Sequence, residues 1–537
     1  MNSYWEELKS FFKNKLFIFT LALLMVIAFG YAAVNSSISA DDMETDRYVG
    51  SGNMMLAAGR FGIWFWDAIQ GGYQTDFSMD LLACFMTLFT AINLCILFRR
   101  VSGGKIGMAA LTVFSGMFVS YPLILEIWEY TGSNVHIGGS MVFTSLSLLI
   151  LHNFIHHGSW RKPWALIPVA AMMTLVCAGY ESIVAVYIFL VFAVLALQVV
   201  YGTEREKKLT EIIRQGLIYA AFLVIGLVGR LIVHQLILLI MDLEPTVNGS
   251  TTITWGTDSP IAILKSMLLT WVRAYLLKSI IYTPLTIMLI ACITLVIIGI
   301  FACKKHGAIL LLPSLGMFLS LIILSLLQGT PTALRSCQVF APFCGFTAMI
   351  LVQCLQRKWL RNAALVGFAC LFLYQASYIN YFLVLNHHRS EQDAHTVAHI
   401  GLTLQTEFDR EKPVIFVGGY SLSEELAEAR SISENDLRWK LYKAIMLKAY
   451  SAIGKDTPLN RQLPETNVTS VINWSILAFK QSSMLKLFNY YGFDYIPADY
   501  DTVYEEATQY AENTNMPAYP YDGYIQDVGD YIIVHLQ

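Results

Sequence analysis

The sequence has 537 residues, of which 56% are hydrophobic and only 14% are charged. That balance excludes a water-soluble globule for most of the chain, because too few polar residues remain to cover its exterior. The net charge of −3 is uneven: residues 1–385 carry 24 basic and 18 acidic side chains, net +6, and residues 386–537 carry 12 and 21, net −9, which argues against nucleic acid as a partner.

The first 385 residues hold long apolar runs. A spanning helix needs roughly 20 apolar residues, and such windows fall at 16–34, 79–98, 106–127, 138–155, 163–179, 182–201, 216–241, 279–302, 308–328, 339–355 and 363–385. The reading is therefore a mostly α-helical polytopic membrane protein with about eleven transmembrane helices. With the N-terminus inside, 17 Lys and Arg lie in the inner loops and termini, from Lys9 to Arg361, against six in the outer loops. The excess of inner positive charge sets the orientation. An odd number of spans then places the C-terminus outside the cytoplasm, and the first span is too long in its apolar run for a cleaved signal peptide.

The first outer loop, residues 35–78, is much longer than a connection requires, and loops of that length tend to be functional. It carries Asp41 and Asp42 directly after the first span, then Arg47, Arg60 and Asp67, and its GIWFW stretch suits an amphipathic helix with Trp64, Phe65 and Trp66 at headgroup level. A helix cap that marks the membrane surface is the bland alternative for the two aspartates. Other polar residues gather at the same outer face: Glu126, Glu129, His136, Tyr180, Glu181, Arg273 and Arg335. Arg335 follows a Pro-broken stretch, where a guanidinium can pair with a phosphate or snorkel to the surface. Arg230 and His234 in the seventh window read either as an internal polar pair or as part of a pathway.

Residues 386–537 read as a soluble α/β domain. Ala394, Val397, Ile400 and Leu404 mark a helix, PVIFVGGY a buried strand, GFDYIPA and DYIIVHL further strands, and residues 422–450, 476–490 and 501–513 further helices. All nine cysteines precede this domain and show no metal-ligand spacing, so it holds no disulfide. No P-loop, dinucleotide glycine fingerprint, zinc motif or nucleophile elbow occurs in the chain.

Four stretches carry a resemblance: DDMETDRY with GRFGIWFW in the first outer loop, AGYESIVAVY at the sixth span, PTALR before the tenth, and the tail MPAYPYDGYIQDVGDYIIVHL. Together they resemble the Gtr-type glucosyltransferases of bacterial O-antigens and surface glycans, a branch of the GT-C superfamily, over the full length of the chain. The resemblance implies a GT-C-like catalytic domain at 1–385 and an extracytoplasmic α/β domain at 386–537, in the bacterial cytoplasmic (inner) membrane. It implies inverting transfer of a hexose, glucose above all, from a polyprenyl-phosphate carrier to a glycan acceptor on the outer face.

The same resemblance makes Asp41 and Asp42 catalytic; the growing charge on the leaving donor phosphate then wants positive partners, for which Arg335 and Arg60 are the candidates, with Arg273 third. Arg47, Trp64, Trp66, Asp67, Glu129, Tyr180 and Glu181 then line the acceptor or sugar. No cofactor is implied, and a divalent metal stays open. Working partners would be a polyprenyl-phosphate glycosyltransferase that charges the carrier and a flippase that turns it outward. Two rival readings use the same residues: a transporter or flippase for a lipid-linked saccharide, and a non-catalytic scaffold of a surface-polymer complex.

Overall fold

The computed structural model describes residues 4–35, 37–39, 52–71, 76–122, 128, 131–157, 163–204, 206–245, 255–256, 259–261, 263–264, 307–329, 336–426, 440, 444, 470–478 and 481–536. These are mostly helical, with a small sheet near the C-terminus.

Helix α1 (Tyr4–Lys13) turns by 76° into the apolar α2 (Lys15–Phe29). Asn14 makes the corner, its side-chain oxygen accepting the Phe17 N–H at 3.1 Å. Two short helices, α3 (Gly52–Ala57) and α4 (Phe61–Ile69), occupy part of the segment expected as the first outer loop. Then come α5 (Asp76–Val101), α6 (Met108–Val119), α7 (Thr131–His157), α8 (Ile167–Cys177), α9 (Ser182–Tyr201) and α10 (Leu209–Met241). After these follow α11 (Gly307–Ser320), α12 (Ile323–Gln328), α13 (Phe340–Cys354) and α14 (Lys358–Glu407).

Among the described residues five helices, α5, α7, α9, α10 and α14, are long and apolar enough to cross a membrane, and the bent α1–α2 pair makes a sixth. α6, α8, α11 and α13 are apolar but shorter; they fall within four of the other expected windows. Proline explains part of the shortening: α6 ends at Val119, three residues before Pro122, and the residue preceding a proline disfavours helical geometry. The expected span at 279–302 lies outside the described residues.

The bundle centre is the pair α5 and α7, which run parallel. Asn134 donates to Asp80 at 2.8 Å, Asn93 to Ser145 at 3.1 Å and Arg100 to Asn153 at 3.0 Å, at sequence separations of 54, 52 and 53. A near-constant separation is what a parallel helix pair requires. α1 is tied to the far end of α5, with Arg100 Nε 2.6 Å from Glu7 and Tyr4 Oη donating to Asn93 at 2.7 Å.

The expected last span and the expected first helix of the C-terminal domain are one continuous helix, the 50-residue α14. Neither proline nor glycine interrupts the chain around Asn386, so nothing stops the helix there. Beyond it lie β1 (Pro413–Gly418), α15 (Val471–Ala478), α16 (Ser482–Tyr490), β2 (Ile496–Pro497), α17 (Tyr500–Asn513), β3 (Ile525–Asp527) and β4 (Ile532–Leu536).

The sheet order is β2-β1-β4-β3, with β1 parallel to both neighbours and β3 antiparallel to β4. β1 is central and reads VIFV because helices cover both its faces. Tyr420, just past β1, returns to α14 by hydrogen bonds with Gln392 and Thr396, and burial pushes its phenol up to about 12. The helix expected at 422–450 falls almost wholly outside the described residues.

Candidate functional site

The α3–α4 turn is the centre of the site. The Arg60 N–H donates to Met55 C=O at 2.8 Å and the Gly59 N–H to Leu56 C=O at 3.0 Å, the paired bonds of a glycine-closed helix end. Gly59 has φ +72, and a Cβ there would sit 3.1 Å from the His234 ring, so a side chain is disfavoured by both conformation and space.

Gly62 then brings α4 against the end of α8. Its N–H donates to Ala178 C=O at 3.0 Å, and a Cβ would lie 2.6 Å from Leu175 O and 2.8 Å from Gly179 N. Leu56, Phe61 and Ala178 bury together under the turn, with Val233 and Ile237 of α10 packed against them. The turn is thus held from two sides, by the α8–α9 connection and by α10.

That packing brings three charges together. Arg60 Nη2 stands 3.3 Å from Glu181 Oε2, and Arg230 Nη2 stands 3.6 Å from Glu181 Oε1. Arg230 Nε also donates to Gly59 C=O at 3.3 Å, and His234 Nε2 donates to Ala57 C=O at 3.1 Å. The Arg60 guanidinium lies 5.7 Å from the centroid of the Tyr180 ring. The three charged side chains are 15%, 27% and 23% exposed, so each keeps an open side. Two guanidiniums on one carboxylate leave a net charge of +1, and these contacts use only some of the five N–H donors of each arginine. Such a group suits an anion with several oxygens.

Deeper in the bundle, Asp67 Oδ1 meets His136 Nε2 at 2.8 Å, with both residues buried, and Asp80 takes the Asn134 amide. Trp66, expected with Trp64 at headgroup level, turns into the bundle. It is buried, with its ring centroid 4.9 Å from that of Phe143 and 5.3 Å from that of Phe65, whereas Trp64 is 51% exposed. Residues two apart on a helix point about 200° from each other, so Trp64 and Trp66 face opposite ways. Of these two tryptophans, Trp64 is the one open to a ligand or a lipid surface.

Asp41, Asp42, Arg47, Glu129, Arg273 and Arg335 lie outside the described residues. The geometry therefore brings together Arg60, Tyr180 and Glu181 of the expected residues, keeps Asp67 buried beside them in sequence but bonded elsewhere, and adds Arg230 and His234. Those two, four residues apart on α10, both turn to the α3–α4 turn and not to each other. Sequence reasoning passes over Arg389 and Asp393 of α14; their i, i+4 spacing within a helical pattern was the available signal.

The model of the Glucosyl transferase GtrII family matches residues 30–352, more than half of the chain. The chain belongs to the GtrII glucosyltransferase family. No curated protein and no solved structure matches it. In this GtrII-family membrane protein the matched stretch contains the whole Arg60, Tyr180, Glu181 and Arg230 group and ends before α14.

Proposed function

We propose that this glucosyltransferase moves glucose from a polyprenyl-phosphate carrier to a surface glycan at the outer face of the inner membrane, through a GT-C-type active site. One observation carries the reading: a half-open pair of guanidiniums, Arg60 and Arg230, with one carboxylate between them, gathered at the α3–α4 turn of the loop where the sequence concentrates its acidic residues. Lipid phosphate is the anion expected outside the cytoplasm, where nucleotide sugars are not supplied.

The step is a single inverting displacement. The acceptor hydroxyl oxygen attacks the anomeric carbon while the bond from that carbon to the phosphate oxygen breaks. Asp41 or Asp42 takes the hydroxyl proton, because an alcohol is a poor nucleophile at neutral pH. Polyprenyl phosphate leaves with the bonding electron pair, and its growing negative charge is met by Arg60 and Arg230, joined by Arg335 and Arg273. No acid is needed on the leaving group, unlike glycoside hydrolysis. Arg47, Trp64, Glu129, Tyr180 and Glu181 then orient sugar and acceptor, and Trp66 and the buried Asp67 support them from within the bundle. A separate glycosyltransferase would charge the carrier and a flippase would deliver it.

Asp41→Asn and Asp42→Asn are expected to abolish or cripple transfer at near-normal protein level, read by mass spectrometry of surface glycans. Wild-type glycans from both variants would remove the base assignment. Turnover of a nucleotide sugar by purified protein free of lipid carrier would remove the donor assignment.

A further inference from the structure

Where α14 passes from its apolar part into the C-terminal domain, it buries three polar residues in a row on one side: Asn386 at 3% exposure, Arg389 at 2% and Asp393 at 1%. A guanidinium taken wholly out of water is costly unless it is bonded and neutralised. Arg389 Nη1 donates to Asp393 Oδ2 at 3.3 Å and its Nη2 to Asn386 Oδ1 at 2.6 Å. Asp393 in turn accepts from Ser470 Oγ at 2.6 Å and from the Val471 N–H, the first residue of α15, at 2.9 Å. To this point the network could serve the C-terminal domain alone.

It extends further, to the other half of the chain. Asn386 Nδ2 donates to Ser37 Oγ at 3.3 Å, and the Ile38 N–H donates to Ser390 Oγ at 3.1 Å, across sequence separations of 349 and 352. Ile38 is 3% exposed and belongs to the apolar core that Val397, Ile400, Phe416 and Ile472 build inside the C-terminal domain. Holding α14 to α15 requires none of these contacts. Their effect is to seize the chain just after the first span, in the segment that leads to Asp41 and Asp42. Three peptide units separate Ile38 from Asp41, a reach of at most about 11 Å.

We propose that the C-terminal domain is a positioning device for the first outer loop: Asn386 and Ser390 grip Ser37 and Ile38, and the buried Arg389–Asp393 pair makes the grip rigid. The consequence for catalysis rests on the proposed function, since the loop so held carries the proposed base. Ser390 and Asn386 touch no substrate; they act through the backbone they hold.

The test uses full-length protein in lipid nanodiscs, with polyprenyl-phosphate glucose as donor and isolated cell envelopes as acceptor. Ser390→Ala removes the acceptor of the Ile38 N–H. It is expected to speed amide exchange at Ile38 about tenfold and to lower kcat by roughly five- to tenfold, at unchanged donor KM and with only a small drop in the melting midpoint, as the loss of one buried hydrogen bond implies. Ser390→Thr should restore both. Faster exchange with wild-type kcat would overturn the positioning role, and wild-type exchange in Ser390→Ala would overturn the grip itself. Should Ser390→Ala fail to fold, Ile38→Val replaces it, with the same two readouts and a smaller expected change. If the wild-type chain transfers no glucose from the lipid carrier, the donor reading fails by itself, and exchange at Ile38 still decides whether the C-terminal domain grips the loop.

Discussion

Two charged groups in this chain are built on opposite terms. At the α3–α4 turn, Arg60 and Arg230 share Glu181, each side chain is partly exposed, and one positive charge is left over. In α14, Arg389 faces Asp393 with both buried and the charges equal. A buried balanced pair gains nothing from a ligand, and its removal leaves an uncompensated charge in a low dielectric. An open unbalanced pair still has donors to offer, and charge held at such a position usually marks a pathway or site. The first group is therefore read as binding machinery and the second as structure that holds machinery in place.

The largest effect is expected at the buried group. Arg389→Ala leaves Asp393 buried without its cation and should destabilise the C-terminal domain by about 3–5 kcal/mol, seen as a lower melting midpoint and faster proteolysis of residues beyond 407. Arg389→Leu combined with Asp393→Leu should return only part of that loss, because the Ser470 hydroxyl and the Val471 N–H lose their acceptor. If the single and double variants melt alike, the uncompensated charge on Asp393 is not what destabilises the domain.

At the open group the expected loss is in activity. Arg60→Ala should cost about 2 kcal/mol, or roughly 30-fold in donor use, while leaving the melting midpoint nearly unchanged. Arg60→Lys should recover only part, because an ammonium cannot grip two phosphate oxygens as a guanidinium does. Arg230→Ala and Arg335→Ala should follow the same pattern. Donor titrations with wild-type constants in all three would leave these arginines as structural or snorkelling residues.

Gly62→Ala sharpens the comparison, because it touches the support of the open site and none of its charges. The added methyl meets Leu175 O and Gly179 N, so the turn must shift, at about 1–3 kcal/mol of overpacking. Donor use and the melting midpoint should fall together, in contrast to Arg60→Ala. A variant with wild-type values for both would show that the turn is not fixed by this contact.

The smallest effect is expected where an ion pair is both balanced and open. Lys412 donates to Asp527 at 2.7 Å on the surface of the C-terminal domain and holds that carboxyl below the ordinary carboxylate range. Water and salt screen such a pair. Lys412→Ala should leave the melting midpoint within experimental error, and a clear drop would mean that exposure does not separate the pairs as supposed.

Much of this was legible without coordinates. The apolar runs are a property of composition along the chain, so the positions of α2, α5, α7, α9 and α10 follow from hydropathy. The strands β1 and β4 follow from PVIFVGGY and DYIIVHL, because a central strand is apolar on both faces. Arg60, Tyr180 and Glu181 stand out as polar groups beside apolar spans, which lipid makes costly to keep without a purpose.

Partner choice was not legible. Arg60 and Arg230 find Glu181, and Asn386 finds Ser37, across separations that no local pattern spans, so only the packing of α3, α4, α8, α10 and α14 decides them. The same packing buries Trp66 and exposes Trp64, although both sit in one aromatic run. The sequence by itself determined which residues must leave water and which carry charge, since those are transfer properties of each side chain. Tertiary structure alone decided which charge meets which, because that depends on how helices distant in sequence are brought within a few ångströms.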